Sequence, residues 1–156
     1  MRIGILSDTH GLLRPEVLDA LSGAELIIHA GDIGAPQVLE SMRAIAPVFA
    51  VRGNVDTQAW ARRLPATQTV PVDKHRFHVL HNVLDLSIDL AAAGIATVIF
   101  GHSHRPWIET RGGVLYLNPG SAGPRRFKLP VCIARVEIAG TRIEPTLVAL
   151  DVRQAR

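Results

Sequence analysis

Five short apolar runs in this chain stop at the same kind of residue. Ser7-Asp8-Thr9-His10 follows the first, Gly31-Asp32 the second and Gly53-Asn54 the third. His81-Asn82 and Gly101-His102-Ser103-His104 close the other two. Bounded apolar runs of this length read as strands. In parallel sheets, ligands collect beyond the carboxyl ends of the strands, so residues far apart in sequence can converge there. A chain that places a metal-capable side chain after each such run is therefore constrained to a sheet architecture with one polar rim. The glycines at 31, 53 and 101 permit the sharp turns that such a rim needs.

The segments between these runs support the same architecture. Strand-like Arg2 to Ser7, Glu25 to His29 and Val48 to Val51 alternate with helical patterns over Pro15 to Leu21 and Pro36 to Ile45. Val17, Leu18 and Leu21, and later Val38, Leu39, Met42 and Ile45, recur at helical spacing. This alternation predicts a mainly parallel sheet, because parallel strands need crossovers. Thr67 to Val72 and Arg76 to His81 follow as neighbouring strands, then a helix over Val83 to Ala93 and a strand from Ala96. After Gly101 four further strand-like segments, Pro106 to Thr110, Val114 to Leu117, Val131 to Ile138 and Arg142 to Leu150, predict a second, largely antiparallel sheet. Two sheets packed face to face with helices outside is the architecture expected.

The chain has 156 residues, the length of one ordinary domain, and no Gly/Ser linker divides it; a single domain over 1–156 is expected. Val83 to Phe100 is interrupted by Asp85, Ser87, Asp89, Gly94 and Thr97, so a membrane span is not expected. The first residues carry no secretory pattern, which points to the cytoplasm. Cys132, the one cysteine, reads as a small core residue. The net charge of +3 comes from arginines scattered from Arg2 to Arg156, not from a stripe, which argues against a dedicated nucleic-acid surface.

Each rim residue also has an ordinary reading. Asp8 and Asp32 suit helix caps, Asn54 suits a turn, and His81 suits a hydrogen-bonded structural histidine. His102 and His104 fit that account less well. The two-residue period of a strand points both imidazoles to one side, where they repel if both are protonated and a metal ion resolves the conflict. Imidazole, carboxylate and amide donors favour manganese, iron, zinc or nickel over calcium.

The ordered set Asp8-Thr9-His10, Gly31-Asp32, Gly53-Asn54, His81 and Gly101-His102-Ser103-His104 resembles the D-x-H, GD, GN, H and GHxH pattern of the calcineurin-like metallophosphoesterases. "SDTHG", "IIHAGD" and "NPGSAGPRR" are similar to the small YfcE-type phosphodiesterases, to which Vps29 is related. The resemblance implies an α/β fold, a four-layer α/β/β/α sandwich of two mixed sheets flanked by helices. It implies two divalent metal ions, manganese before iron, zinc or nickel. Asp8, His10, Asp32 and His104 would hold one ion and Asp32, Asn54, His81 and His102 the other, with Asp32 bridging; the same seven residues form the implied catalytic set. The implied activity is hydrolysis of small phosphodiesters or phosphomonoesters by a hydroxide held between the ions. Relatives also suggest a homo-oligomer. The alternative is a non-catalytic, Vps29-like protein-interaction scaffold, a branch in which the ligands are eroded, whereas all seven are present here.

Two positions depart from the pattern. Val55 stands where many members carry a histidine that protonates the leaving group, and Asn82 stands where glycine is usual. Asp56 is expected to orient a ligand. His29 suits either a hydrogen bond near the ions or a structural role, while His75 and His78 read as surface. Arg105 and Arg125 are candidates for contact with substrate phosphate, and Asn118-Pro119-Gly120-Ser121 reads as a loop shaping the rim.

Overall fold

Ile3 and Ile5 face one side of strand β1 (Arg2–Leu6) and Leu6 faces the other, and both sides are buried. That double burial is why the run is continuously apolar instead of alternating with polar residues. In the computed structural model, which describes residues 1–152, strands β2 (Leu26–His29) and β3 (Val48–Ala50) extend the sheet in parallel. Positions 153–156, the last four of the expected domain, lie outside the described residues. Helices α1 (Pro15–Leu21) and α2 (Pro36–Arg43) cover the outer face, with Val17, Leu21, Val38, Leu39 and Met42 buried against Leu6, Ile27 and Ile133. Each helix starts on a proline, whose fixed φ and missing N–H suit the first turn. Gly4 lets α1 approach closely: a Cβ there would lie 2.5 Å from Leu21 Cδ2.

The second sheet comprises β4 (Thr67–Val72), β5 (His75–Leu80), β6 (Thr97–Ile99), β7 (Trp107–Arg111) and β8 (Val114–Asn118), in the order β4-β5-β6-β8-β7. Its inner side chains, Val70, Val72, Phe77, Val79, Ile99 and Leu117, pack on Ile3, Ile5, Leu26, Ile28 and Val136 to make the core between the sheets. On its outer face Leu80, Val98 and Phe100 bury against Ile95, Leu86, Leu90 and Tyr116, beside the short helix α3 (Leu90–Ala93). Three apolar layers thus separate four layers of structure, the α/β/β/α order implied above.

The partition of strands differs from expectation. Strands β9 (Cys132–Ala139) and β10 (Arg142–Ala149) do not form a second antiparallel sheet with β7 and β8. They extend the first sheet, giving the order β10-β9-β1-β2-β3, with β9 antiparallel to β1. The first sheet is consequently mixed. So is the second, where β5-β6 and β6-β8 pair in parallel and β4-β5 and β7-β8 antiparallel. The reason is β1's free edge: β2 and β3 lie on one side of it, and pairing with β9 satisfies the backbone groups on the other.

The helix expected over 83–93 is broken into a one-turn 3-10 helix (Val83–Asp85) and α3. Local caps explain the break. Asn82 Oδ1 accepts from Leu84 N at 3.1 Å and Asp89 Oδ1 accepts from Ala92 N at 3.1 Å, so each polar residue starts a new turn instead of continuing one. His78 is also not a surface residue: it lies mid-strand in β5, is buried, and its Nδ1 is 3.2 Å from Thr69 Oγ1. Cys132 is buried, as a core residue should be. No helix among the described residues is long and apolar enough to cross a membrane.

Candidate metal centre

The carboxyl ends of β1, β2, β5 and β6 meet at one edge of the sandwich and are tied by backbone bonds. Asp8 N donates to Gly31 O (3.0 Å), His10 N to Asp32 O (2.9 Å) and Gly101 N to His81 O (2.9 Å). The two sheets join where His102 N donates to Asp8 Oδ2 at 3.2 Å. Gly101 is required at this seam, because a Cβ there would overlap Ser7 Oγ and lie 2.7 Å from Asp8 Oδ2.

Backbone conformation marks the same edge. Among the described residues seven non-glycine residues have positive φ, and five of them are Asp8 (59°), His10 (47°), Asp32 (55°), His102 (74°) and His104 (63°). Left-handed conformations cost L-residues roughly 1–2 kcal/mol each, and such strain persists only where surrounding structure over-determines it. His102 and His104 therefore do not converge by strand alternation, as their spacing suggests: β6 ends at Ile99, and two left-handed turns aim the rings.

The side chains form two overlapping groups. His10 Nε2 and His104 Nε2 lie 3.8 and 3.3 Å from Asp8 Oδ1. His81 Nε2 lies 3.8 Å from Asp8 Oδ1 and 3.1 Å from Asp32 Oδ2, and His10 Nε2 is 3.7 Å from Asp32 Oδ2. Asp8, His10 and His104, and separately Asp8, Asp32 and His81, each bring donor atoms within 4.8 Å of one another. Asp8 is common to both groups, and Asp32, expected as the bridge, stands between His81 of one and His10 of the other. The His102 ring stands edge-on to His81 with centroids 5.2 Å apart, and His10 and His104 are similarly near at 5.4 Å. His102 and Asn54 are more exposed than the rest, and Asn54 lines a cleft together with His81.

Although these atoms crowd together, Asp8 Oδ1, His10 Nε2 and His81 Nε2 are buried and make no hydrogen bond of acceptable geometry. Buried polar atoms are nearly always paired, so orphans aimed at a common space fit the donor set of a cation. The tautomer of His81 agrees. Its Nδ1 is 2.8 Å from the carbonyl of Ala30, which can only accept, so Nδ1 carries the proton and Nε2 is left for a ligand.

Electrostatics favour a cation as well. Burial pushes the Asp8 carboxyl upward, but His104, His81 and the Ser7 hydroxyl outweigh it and the net shift is down. Burial likewise raises Asp32, yet His81, the Val55 amide and His10 bring it to about 2. Both carboxylates are thus ionised at neutral pH. Burial lowers His10 despite Asp32 and Asp8, leaving a free lone pair. Burial also opposes protonation of His81, but Asp32 and Asp8 prevail and raise it; an ion there would displace that proton, since a ligating imidazole is neutral.

The support beneath this group was mostly not legible as such. Asn118-Pro119-Gly120-Ser121 shapes the rim from beneath, not at its surface: Asn118 and Ser121 are buried, Asn118 Nδ2 donates to Gly101 O (3.1 Å), and Ser121 Oγ donates to Asp8 O (3.1 Å). Asp56 orients backbone instead of a ligand side chain, accepting from the amides of Gly53 (2.8 Å), Gly34 (3.0 Å) and Ile33 (3.1 Å). Asn82, where glycine is usual, caps the turn after His81. Arg105 and Arg125 are exposed.

His29 is structural. It is fully buried, with Nε2 3.0 Å from Thr9 Oγ1, while Nδ1 accepts from Gly31 N at 3.0 Å. Burial pushes its pKa down to about 4, so it stays neutral in the fold while the unfolded chain takes up a proton below about 6.5. The native state therefore loses stability as pH falls from about 6.5 to about 4, with about 2 kcal/mol of that loss expected by pH 5. Urea unfolding of metal-free protein at pH 7 and pH 5 checks this: wild type should lose about 2 kcal/mol more than His29→Gln. Equal losses would mean that His29 titrates normally.

Comparison with known proteins adds relatives to this geometry. Residues 1–141 match the calcineurin-like phosphoesterase superfamily domain. A probable metallophosphoesterase of Methanothermobacter thermautotrophicus is 33% identical over 153 residues, covering 88% of this chain and 87% of that one. The structure of YfcE, a phosphoesterase from E. coli, superposes with a TM-score of 0.69 at 26% identity, covering 97% of this chain and 100% of that one. Vps29 of Chaetomium thermophilum shares the fold with a TM-score of 0.78 at 16% identity, covering 97% and 98% of the two chains.

Proposed function

From the premise that this chain belongs to the calcineurin-like phosphoesterase superfamily, we propose that it is a dinuclear metal-dependent phosphodiesterase. Asp8, His10 and His104 would hold one ion and Asp32, His81, His102 and Asn54 the other, with the Asp8 and Asp32 carboxylates facing both. Divalent ions in such a site supply an acidified water as nucleophile near neutral pH and positive charge for the phosphoryl oxygens. The chain's own residues do the rest. Asp8 and Asp32 contribute only two negative charges, so the loaded site stays electropositive and attracts an anionic ester. His81, fixed through the Ala30 carbonyl, and His104, at 3.3 Å from Asp8, set the spacing of the donors.

Supporting this reading above all is the cluster of buried, unpartnered donor atoms on Asp8, His10 and His81. Val55, half-exposed at the position of the usual proton donor, offers no proton. General-acid help is typically about 10² to 10⁴ in rate, so esters with good leaving groups should be preferred.

The experiment is hydrolysis of bis(p-nitrophenyl) phosphate by chelator-treated protein after adding back manganese, iron, zinc or nickel. Hydrolysis restored by one of these metals and lost in His104→Ala is the expected result. Intact folding with no hydrolysis under any of the metals would instead favour the Vps29-like scaffold.

A further inference from the structure

A cleft of about 270 Å³ opens from the rim on the side of Asn54 and His81, so its inner wall is the proposed metal centre itself. It is lined further by Leu80 and Ala66 and by the polar residues Arg52, Thr67, Asn82 and Asp85. We propose that this cleft is the subsite for the retained ester arm of the substrate, and that it selects a compact, uncharged, hydroxylated ring of the sugar or nucleoside class. The proposal rests on the phosphodiesterase reading and deepens it.

The wall residues carry the chemistry. Arg52 is anchored at both ends: its backbone N donates to Pro65 O at 2.9 Å, and its Nη1 donates to Leu64 O at 2.5 Å. Among the described residues its other guanidinium donors make no hydrogen bond. Asn82 Oδ1 is occupied by Leu84 N, which leaves its amide N–H groups as the free function. Asp85, held where its N donates to Asn82 O at 3.0 Å, supplies acceptors. Among the described residues no ion pair joins Arg52 to Asp85, so donors and acceptors both remain available to a ligand.

Charge and size then exclude other arms. One cation and one carboxylate leave the cleft with no net charge, in contrast to the electropositive centre beside it. A second phosphate or a carboxylate would gain from Arg52 but be opposed by Asp85, so the cleft itself gives a charged arm no advantage. A long alkyl arm would leave the polar walls unpaired, which costs affinity. The volume is slightly below the usual about 300–1,000 Å³ of small-molecule pockets, room for a sugar or a single nucleoside and not for an extended ligand. A polyol ring offers both donors and acceptors at that scale. Asn82 also caps the 3-10 turn that carries Asp85, so the residue standing where glycine is usual after His81 helps shape the subsite.

Two measurements test this. The first compares kcat/KM for diesters that share the p-nitrophenolate leaving group, and hence the same bond cleaved, but retain either methyl or thymidine 5′-oxy as the other arm. Wild type should favour the thymidine ester by at least about tenfold, mostly through KM. Thr67→Trp, which fills the cleft from an exposed edge-strand position, and Arg52→Ala should each collapse that ratio towards one. The second is calorimetric titration of metal-loaded protein with thymidine 5′-methylphosphonate and with methyl methylphosphonate. It should give the same order of preference in wild type and none in the two variants.

A thymidine preference that is absent, or that survives both substitutions, overturns the subsite even if bis(p-nitrophenyl) phosphate is hydrolysed. If that ester is not hydrolysed with any metal, the phosphodiesterase reading fails on its own, and the calorimetric comparison still decides whether the cleft selects the ring.

Discussion

Asp8→Asn should reduce metal-dependent hydrolysis of bis(p-nitrophenyl) phosphate by at least about 10³-fold while the fold is retained. The size follows from what one atom does. Asp8 Oδ1 lies within 3.8 Å of His10, His81 and His104, and it belongs to both candidate groups. An amide keeps the shape but removes the negative charge that offsets two cations. Removing a single donor to a developing charge typically costs about 10² to 10³ in kcat, and weakening both ions at once should exceed that. Retention of folding is expected because Asp8's backbone ties β1 to β2 through Gly31 and accepts from Ser121, and the amide oxygen of asparagine can still accept from His102 N. Circular dichroism together with metal titration of the variant separates the outcomes: native spectrum with lost metal affinity supports the site, and a wild-type rate would remove Asp8 from it.

The second large effect is on stability. Without an ion, ionised carboxylates and imidazoles are crowded into a space where several donor atoms go unpaired and five residues hold left-handed φ. An ion that binds only this arrangement stabilises it by mass action, about 4 kcal/mol at a free concentration 1,000 times its Kd. For a chain of 156 residues that corresponds to a rise in Tm of roughly 8–16 °C. Thermal melts after chelation and after adding back manganese, iron, zinc or nickel would show it. The rise should vanish in Asp8→Asn and Asp32→Asn, which separates the rim from adventitious binding elsewhere. An unchanged Tm with every one of these metals would argue that the rim is not a metal centre.

The two predictions draw on different levels of information. Which residue types stand at the strand ends was legible from order and spacing, because each block needs only its own few residues: an apolar run, a glycine where the chain must turn, and a polar side chain. The layers were legible for the same reason, since the periodicity of Val17 and Leu21, or of Ile3 and Ile5, is a local property that reports which faces are buried. His78 shows the limit of local reading: next to a polar turn it looks exposed, yet the strand carrying it is covered on both faces.

What the sequence by itself determined is the set of strands, the two outer helices and the polar residues that end the strands. Only the tertiary structure decided that β9 and β10 complete the first sheet, that Asn118, Ser121 and Asp56 brace the rim from beneath, and that a cleft opens beside His81. The physical reason is that a strand's side-chain alternation is the same whichever neighbour it pairs with. The choice of neighbour depends on free edges and buried amides more than a hundred residues away, as Arg2 opposite Glu137 illustrates.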